Sequence, residues 1–267
     1  MKFLYQIFLP PFIINLFRKF YFNFINLKSK NQIKIYDNDL IASIIIKKNI
    51  KFRDNLYSDK NIDLFAFRFF AGVSIAAYNG KKTFKVLDFG GGGGYHYFIS
   101  RLLLPKEILI SWHIVETSSI VKQSVEISNT ELKFFNTIEE ASFDIINFDL
   151  IFASSSLQYC KNQSLIIEQI LNLNATNIFI TRTPFSVNTI VDGEMQYSLL
   201  SANGPGNLPL GYKDSIISYP IYINNLDNFT NLFLKKYIIK FKINEEKNAF
   251  IIRNKSYDNY GIYFQLK

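Results

Sequence analysis

The sequence predicts an α/β fold: a mostly parallel sheet covered by helices on both faces, an antiparallel pair of strands at its C-terminal edge, and a helical N-terminal extension. Three observations carry this. Short apolar runs alternate with helical stretches from residue 84 to residue 181. The runs show little polar alternation, as expected for strands buried on both sides. Five consecutive glycines, residues 90–94, join the first run to the helix that follows it.

Residues 3–17 are apolar, but Gln6, Asn15 and Pro10-Pro11 interrupt them and the run is too short to span a bilayer. No small-residue cleavage site follows; Phe20, Tyr21, Phe22 and Phe24 do, beside Lys28 and Lys30. Residues 1–27 therefore read as an amphipathic segment. It either lies in a membrane interface or packs on the body of the protein or on a second subunit. Residues 28–80 form a helical extension. It begins as a polar connector with one helix around residues 41–46. Residues 62–78 follow, with the length and small residues of a buried helix, stopped by Asn79-Gly80.

The main domain is residues 81–267. Strands are predicted at 84–88, 108–116, 132–135, 149–153 and 177–181. Helices are predicted at 95–104, stopped by Pro105, and at 118–127 and 164–173. Repeated strand–helix–strand units give a parallel sheet. Residues 186–220 are long, polar and rich in turn residues, and read as a lid-like insertion. Residues 237–243 and 249–254, joined by a turn at 244–248, read as the antiparallel edge pair.

Composition narrows the function. The 267 residues are 48% apolar and 19% charged, which excludes a disordered tail. The net charge of +8 comes from dispersed lysines and short pairs such as Lys47-Lys48, so no nucleic-acid partner is expected. A single cysteine, Cys160, excludes an intramolecular disulfide and a cysteine zinc cluster, and two histidines leave little for a metal site. A cytoplasmic location is expected, peripheral on the inner face of the membrane if residues 1–27 bind it.

The glycine loop carries the chemistry. Ligands of open α/β sheets bind at the carboxyl edge, where this loop lies. A P-loop needs Gly-Lys-Ser/Thr, and here the glycines run into Tyr95-His96. A dinucleotide fingerprint needs a third glycine where Tyr95 or His96 stands. The spacing Asp-x-Gly-x-Gly-x-Gly is met by Asp88, Gly90, Gly92 and Gly94. Glu116 ends the second strand, where an acid can accept both hydroxyls of a ribose. Glu116 points to a nucleoside cofactor without choosing one.

The Asp88–Gly94 spacing resembles the first motif of the class I S-adenosylmethionine-dependent methyltransferases. That resemblance implies a Rossmann-like class I methyltransferase sandwich and S-adenosyl-L-methionine as cofactor. The wider pattern is similar to a family of class I methyltransferases associated with surface polysaccharide biosynthesis. The matching stretches are Leu9-Pro10-Pro11, Tyr95-His96-Tyr97 after the glycines, Trp112-His113-Ile114-Val115-Glu116-Thr117, the Ala-Ser-Ser-Ser-Leu-Gln-Tyr of residues 153–159, Arg182-Thr183-Pro184-Phe185 and Ser218-Tyr219-Pro220. Thr181 and Tyr222 stand where the family pattern has Asp and Trp. The resemblance implies methyl transfer to an oxygen of a carbohydrate or lipid-linked glycan. Two alternatives stay open: a catalytically idle, membrane-associated scaffold in glycan assembly, and an NAD-dependent oxidoreductase on a similar sheet.

Further candidates follow from position. Ser155, after the fourth strand, can contact the cofactor. His96 is the only histidine beside the glycine loop and is the first candidate general base. Arg182 ends the fifth strand, where it can bind an anionic acceptor. Asp192 and Glu194 are the nearby acids that would serve as base in place of His96.

Overall fold

The computed structural model describes residues 36–78, 82–143, 145, 147–187, 190–252 and 255–267. The amphipathic segment 1–27 and the Asn79-Gly80 stop lie outside the described residues.

Helix α1 (Asp39–Asp59) starts where the Asn38 side chain accepts from the Leu40 N–H, and ends at Lys60 in the left-handed conformation. Helix α2 (Leu64–Ala77) is capped by Asp63, whose carboxylate accepts from the Ala66 N–H at 2.6 Å. The expected buried helix is thus present but only one face is covered. Ala66, Phe69, Val73 and Ala76 are buried, whereas Phe67 is 62% exposed.

The main sheet is β1 (Thr83–Phe89), β2 (Leu109–Val115), β3 (Leu132–Phe135), β4 (Leu150–Ser154), β5 (Asn177–Phe185), β8 (Tyr237–Ile252) and β9 (Lys255–Leu266). Its order is β3-β2-β1-β4-β5-β9-β8. The first five strands are parallel; β9 runs antiparallel to both β5 and β8. Helices α3 (Tyr95–Leu103), α4 (Ser118–Gln123), α5 (Ile138–Ser142), α6 (Gln163–Asn172) and α7 (Leu226–Phe233) follow their strands. Strands β6 (Val191–Leu199) and β7 (Ile216–Ile223) pair as a separate antiparallel ribbon.

The parallel strands are buried on both faces, which is why they read as unbroken apolar runs. Val86, Trp112, Phe152 and Phe179 join the core under α1, α2 and α3. Leu87, Ile151 and Ile178 face the other way, into the core with Ile167, Ile170, Phe229 and Phe233. The chain builds outward from β1 to β3, then crosses to β4. That reversal is the topological switch point, and it puts a crevice at the carboxyl ends of β1 and β4.

One expectation is corrected and one gains detail. The antiparallel edge pair exists, but the expected turn at 244–248 is part of one long strand, β8, whose partner is β9. Register shifts between Asn244 and Glu246 and between Glu246 and Phe250 absorb the polar stretch as bulges, as edge strands tolerate. The insertion at 186–220 is no plain loop: its flanks enter β6 and β7, and residues 200–215 connect them.

Candidate functional site

The glycine loop has the geometry its spacing demands. Gly90, Gly92 and Gly94 have φ of +71°, +59° and +88°, a region that side-chain-bearing residues avoid. A Cβ on Gly90 would also stand 2.3 Å from the Ser156 Cβ, so this position is closed to any side chain twice over. Ser156 is there because its hydroxyl donates to the Phe89 carbonyl at 2.7 Å, tying the end of β4 to the end of β1.

Two cavities meet above this loop. One, of about 540 Å³, is walled by Phe89, Val115, Thr117, Asn136, Ile166 and Pro220 and is mostly apolar. The other, of about 600 Å³, lies over the glycines and reaches Asn49, Asp63, Tyr95, His96, Arg182 and Gln196. Both are of ligand size. They share Tyr36, Gly90, Glu116, Ser155, Tyr159 and Tyr219. Tyr219 packs edge-on against Tyr36 and Tyr159, with ring centroids 5.7 and 5.0 Å apart.

Glu116 stands at that junction. Its Oε1 accepts from the Gly92 N–H and its Oε2 from the Thr117 N–H, each at 2.9 Å. A carboxylate has about four acceptor positions, so roughly two remain for a ligand. Burial pushes the carboxyl up to about 7, against the pull of the two N–H donors.

The walls also hold polar atoms that the protein leaves unmatched. Asn49 Oδ1, Ser154 Oγ, Gln196 Oε1 and Thr117 Oγ1 are buried and have no hydrogen-bond partner among the described residues. All four residues line this pair of cavities. An unmatched buried polar atom costs about 1–3 kcal/mol. Their concentration here fits a ligand with an amine and hydroxyls on one side and an apolar ring on the other, as S-adenosylmethionine has.

The remaining predicted residues fall into two groups. Ser155 lies at the shared wall with φ +54°, its hydroxyl accepting from Gln158 Nε2. Arg182 lines the polar cavity and also has positive φ, +53°. His96 is in the first turn of α3, not in the loop, and is 6% exposed between Phe69 and Phe152. Its Nδ1 is 3.4 Å from Asp88 Oδ2, a charge-pair distance without hydrogen-bond geometry. Asp88 lies beneath the loop: it is fully buried, accepts from the Trp112 Nε1–H at 3.1 Å, and lines neither cavity. Gly94 caps α3 and also stands outside both walls. Asp192 is exposed on β6 and lines a different cavity, with Tyr222 and Asn224. Glu194 lines neither of the two cavities.

The sequence reading did not single out Tyr36, Asn49, Asp63 or Gln196 as site residues. They come from the segment before α1, from α1, from the start of α2 and from the β6 ribbon, and no local spacing links them to the glycines. Burial pushes the Cys160 thiol up to about 11, which makes it a poor nucleophile. Among the described residues no group of three or more His, Cys, Asp or Glu is placed to hold a metal, and no helix is long and apolar enough to cross a membrane.

Sheet order, switch point and glycine loop together define a Rossmann-like α/β sandwich whose mostly parallel sheet ends in an antiparallel edge pair. No protein-family profile matches the chain, and no curated protein sequence matches it. Among solved structures, it is similar to an S-adenosylmethionine-dependent methyltransferase from Clostridium acetobutylicum, with 11% identity over 82% of this chain and 98% of that one, TM-score 0.47. It is also similar to the N-methyltransferase NodS from Bradyrhizobium japonicum, with 11% identity over 74% and 85% of the two chains, TM-score 0.42. A third is an S-adenosylmethionine-dependent methyltransferase from Mesorhizobium loti, with 7% identity over 72% and 96%, TM-score 0.44.

Proposed function

We propose that this chain binds S-adenosylmethionine and transfers its methyl group to an oxygen of a carbohydrate or lipid-linked glycan. The observation that carries the cofactor reading is the position of Glu116. It stands between an apolar cavity that suits adenine and a glycine loop that suits the methionine part, with acceptor positions to spare for a ribose diol. Asn49 Oδ1 and Gln196 Oε1 supply unmatched acceptors for the methionine amine. The glycan class rests on the family resemblance described above.

When bound, the cofactor supplies an electrophilic methyl on a sulfonium, which leaves as the acceptor oxygen forms its new bond. The protein's part is to align the acceptor and take its proton. His96 is the base in this reading; its Nδ1 stands 3.4 Å from the buried carboxylate of Asp88. His96→Ala is then expected to lower turnover ~10²-fold or more. A loss below tenfold would remove it from that role. Asp192, which lines a different cavity, does not share it in this reading.

Transfer of labelled methyl from S-adenosylmethionine into the glycan and lipid fractions of a cell extract tests the activity. Label is expected with the native chain and not with Glu116→Ala; equal label with both would contradict the proposal. Residues 1–27 would hold the enzyme at the membrane surface in this reading, and membrane association that survives their removal would refute that part.

A further inference from the structure

We propose that the β5 end of the polar cavity is a site for an anionic group, a carboxylate or a phosphate, carried by the methyl acceptor, that Arg182 binds it, and that Glu245 positions Arg182 to do so. The word acceptor rests on the methyltransferase reading; the anion site does not.

The first argument is position. Along the carboxyl edge the sheet order gives Glu116 after β2, the glycine loop after β1, Ser155 after β4 and Arg182 in β5. Three strand spacings separate β2 from β5, about 14 Å. Arg182 is therefore at the far end of the cleft from the acid assigned to the ribose. It is also the sole lysine or arginine among the described residues that line the polar cavity.

The second argument is electrostatic. Burial lowers the Arg182 pKa, and the carboxylates of Glu245 and Glu246 offset this only in part. Tyr95 and Tyr159 line the same cavity, and burial holds both phenols well above their ordinary value, so they offer neutral hydroxyls and not charge. A planar carboxylate or phosphate entering the cavity suits the guanidinium's fork of donors.

The third argument is construction. Strand β5 bulges between Ile180 and Thr183, which takes Thr181 and Arg182 out of the ladder with β9. Arg182 is turned to φ +53° there. The freed groups are collected by one side chain: Glu245 of β8 accepts from the Thr181 hydroxyl and from the Arg182 N–H. To do this Glu245 reaches across the whole of β9. It passes over Gly261, where an added Cβ would stand 3.1 Å from Glu245 Oε1. A bulge in the strand, a carboxylate reaching across the intervening strand and a glycine beneath it all converge on the backbone of one arginine. Bulges beside active sites re-aim side chains in this way.

The test is calorimetry on the full chain. S-adenosylhomocysteine is titrated first, then glucuronate, glucose 1-phosphate and glucose are each added to the saturated protein. At least one anionic sugar is expected to bind and glucose not; which anion binds distinguishes a carboxylate from a phosphate acceptor. Arg182→Gln is expected to weaken the anion at least tenfold with S-adenosylhomocysteine unchanged, and Arg182→Lys not to restore it. Glu245→Gln is expected to weaken the anion by a smaller factor, again without touching S-adenosylhomocysteine, a split that a general loss of packing would not produce. Anionic sugars that bind no better than glucose, or that bind Arg182→Gln equally well, would overturn the proposal. So would weaker S-adenosylhomocysteine binding in Arg182→Gln, because the arginine would then hold the cofactor's own carboxylate. If the native chain fails to bind S-adenosylhomocysteine, the methyltransferase reading fails by itself, and the anions are titrated without it. Should Glu245→Gln misfold, Gly261→Ala, which presses on Glu245 from below, takes its place.

Discussion

The two halves of the cleft are built differently. The half over β1 and β2 is assembled from residues close in the chain: one loop, residues 90–94, and one acid after the next strand, Glu116. The half over β4 and β5 draws on α1, the start of α2, the β6 ribbon and a bulge held from β8. The first half carries its function in a spacing. The second carries it in long-range contacts that no spacing announces.

That difference explains what could be read from the residues alone. The alternating positive φ of Gly90, Gly92 and Gly94 is a local backbone demand, so it appears as a motif. The five parallel strands were legible because burial on both faces makes them apolar runs. The ribbon of β6 and β7 was not, because its polar, half-exposed residues look like a loop. Strand β9 was missed, and β8 was cut in two because bulges break the pattern that marks a strand. Asp88 was legible as a motif residue but its place was not: the same spacing suits an acid in the cavity wall or one beneath the loop.

The largest effect tests the local half. Gly90→Ala should cost about 2–5 kcal/mol of stability, combining left-handed backbone strain with overpacking against Ser156. A denaturant midpoint within error of the native chain would show that the loop is not held as described.

Glu116→Ala should weaken S-adenosylhomocysteine by about 1.5–3 kcal/mol, the scale of hydrogen bonds to a charged group. Unchanged affinity would take Glu116 out of the ribose site. A pH series sharpens this. With the carboxyl at about 7 and the ionised form the better acceptor, affinity should rise about tenfold from pH 6 to pH 8. Glu116→Gln should abolish the rise. The unliganded protein should show the opposite slope: its raised pKa means stability falls as pH climbs from the ordinary glutamate range toward 7.

The smaller effects belong to the distant half. Lys48 is buried in α1 and its ammonium donates to the carbonyls of Ser201 and Asn203, at 2.8 and 2.6 Å. Those residues begin the stretch that carries Asn203 and Gly204 over the polar cavity. Lys48→Met should raise amide exchange through residues 200–206 and leave the sheet protected. Exchange unchanged there would show that α1 does not hold this stretch. Asp192→Asn, on the other cavity, should leave S-adenosylhomocysteine affinity within about 0.5 kcal/mol.

The most direct measurement is calorimetric titration of the native full chain with S-adenosylhomocysteine, with NADH as control. The cleft described here predicts one-to-one binding at micromolar strength and no heat from NADH. A folded chain that binds neither, or that prefers NADH, would contradict it.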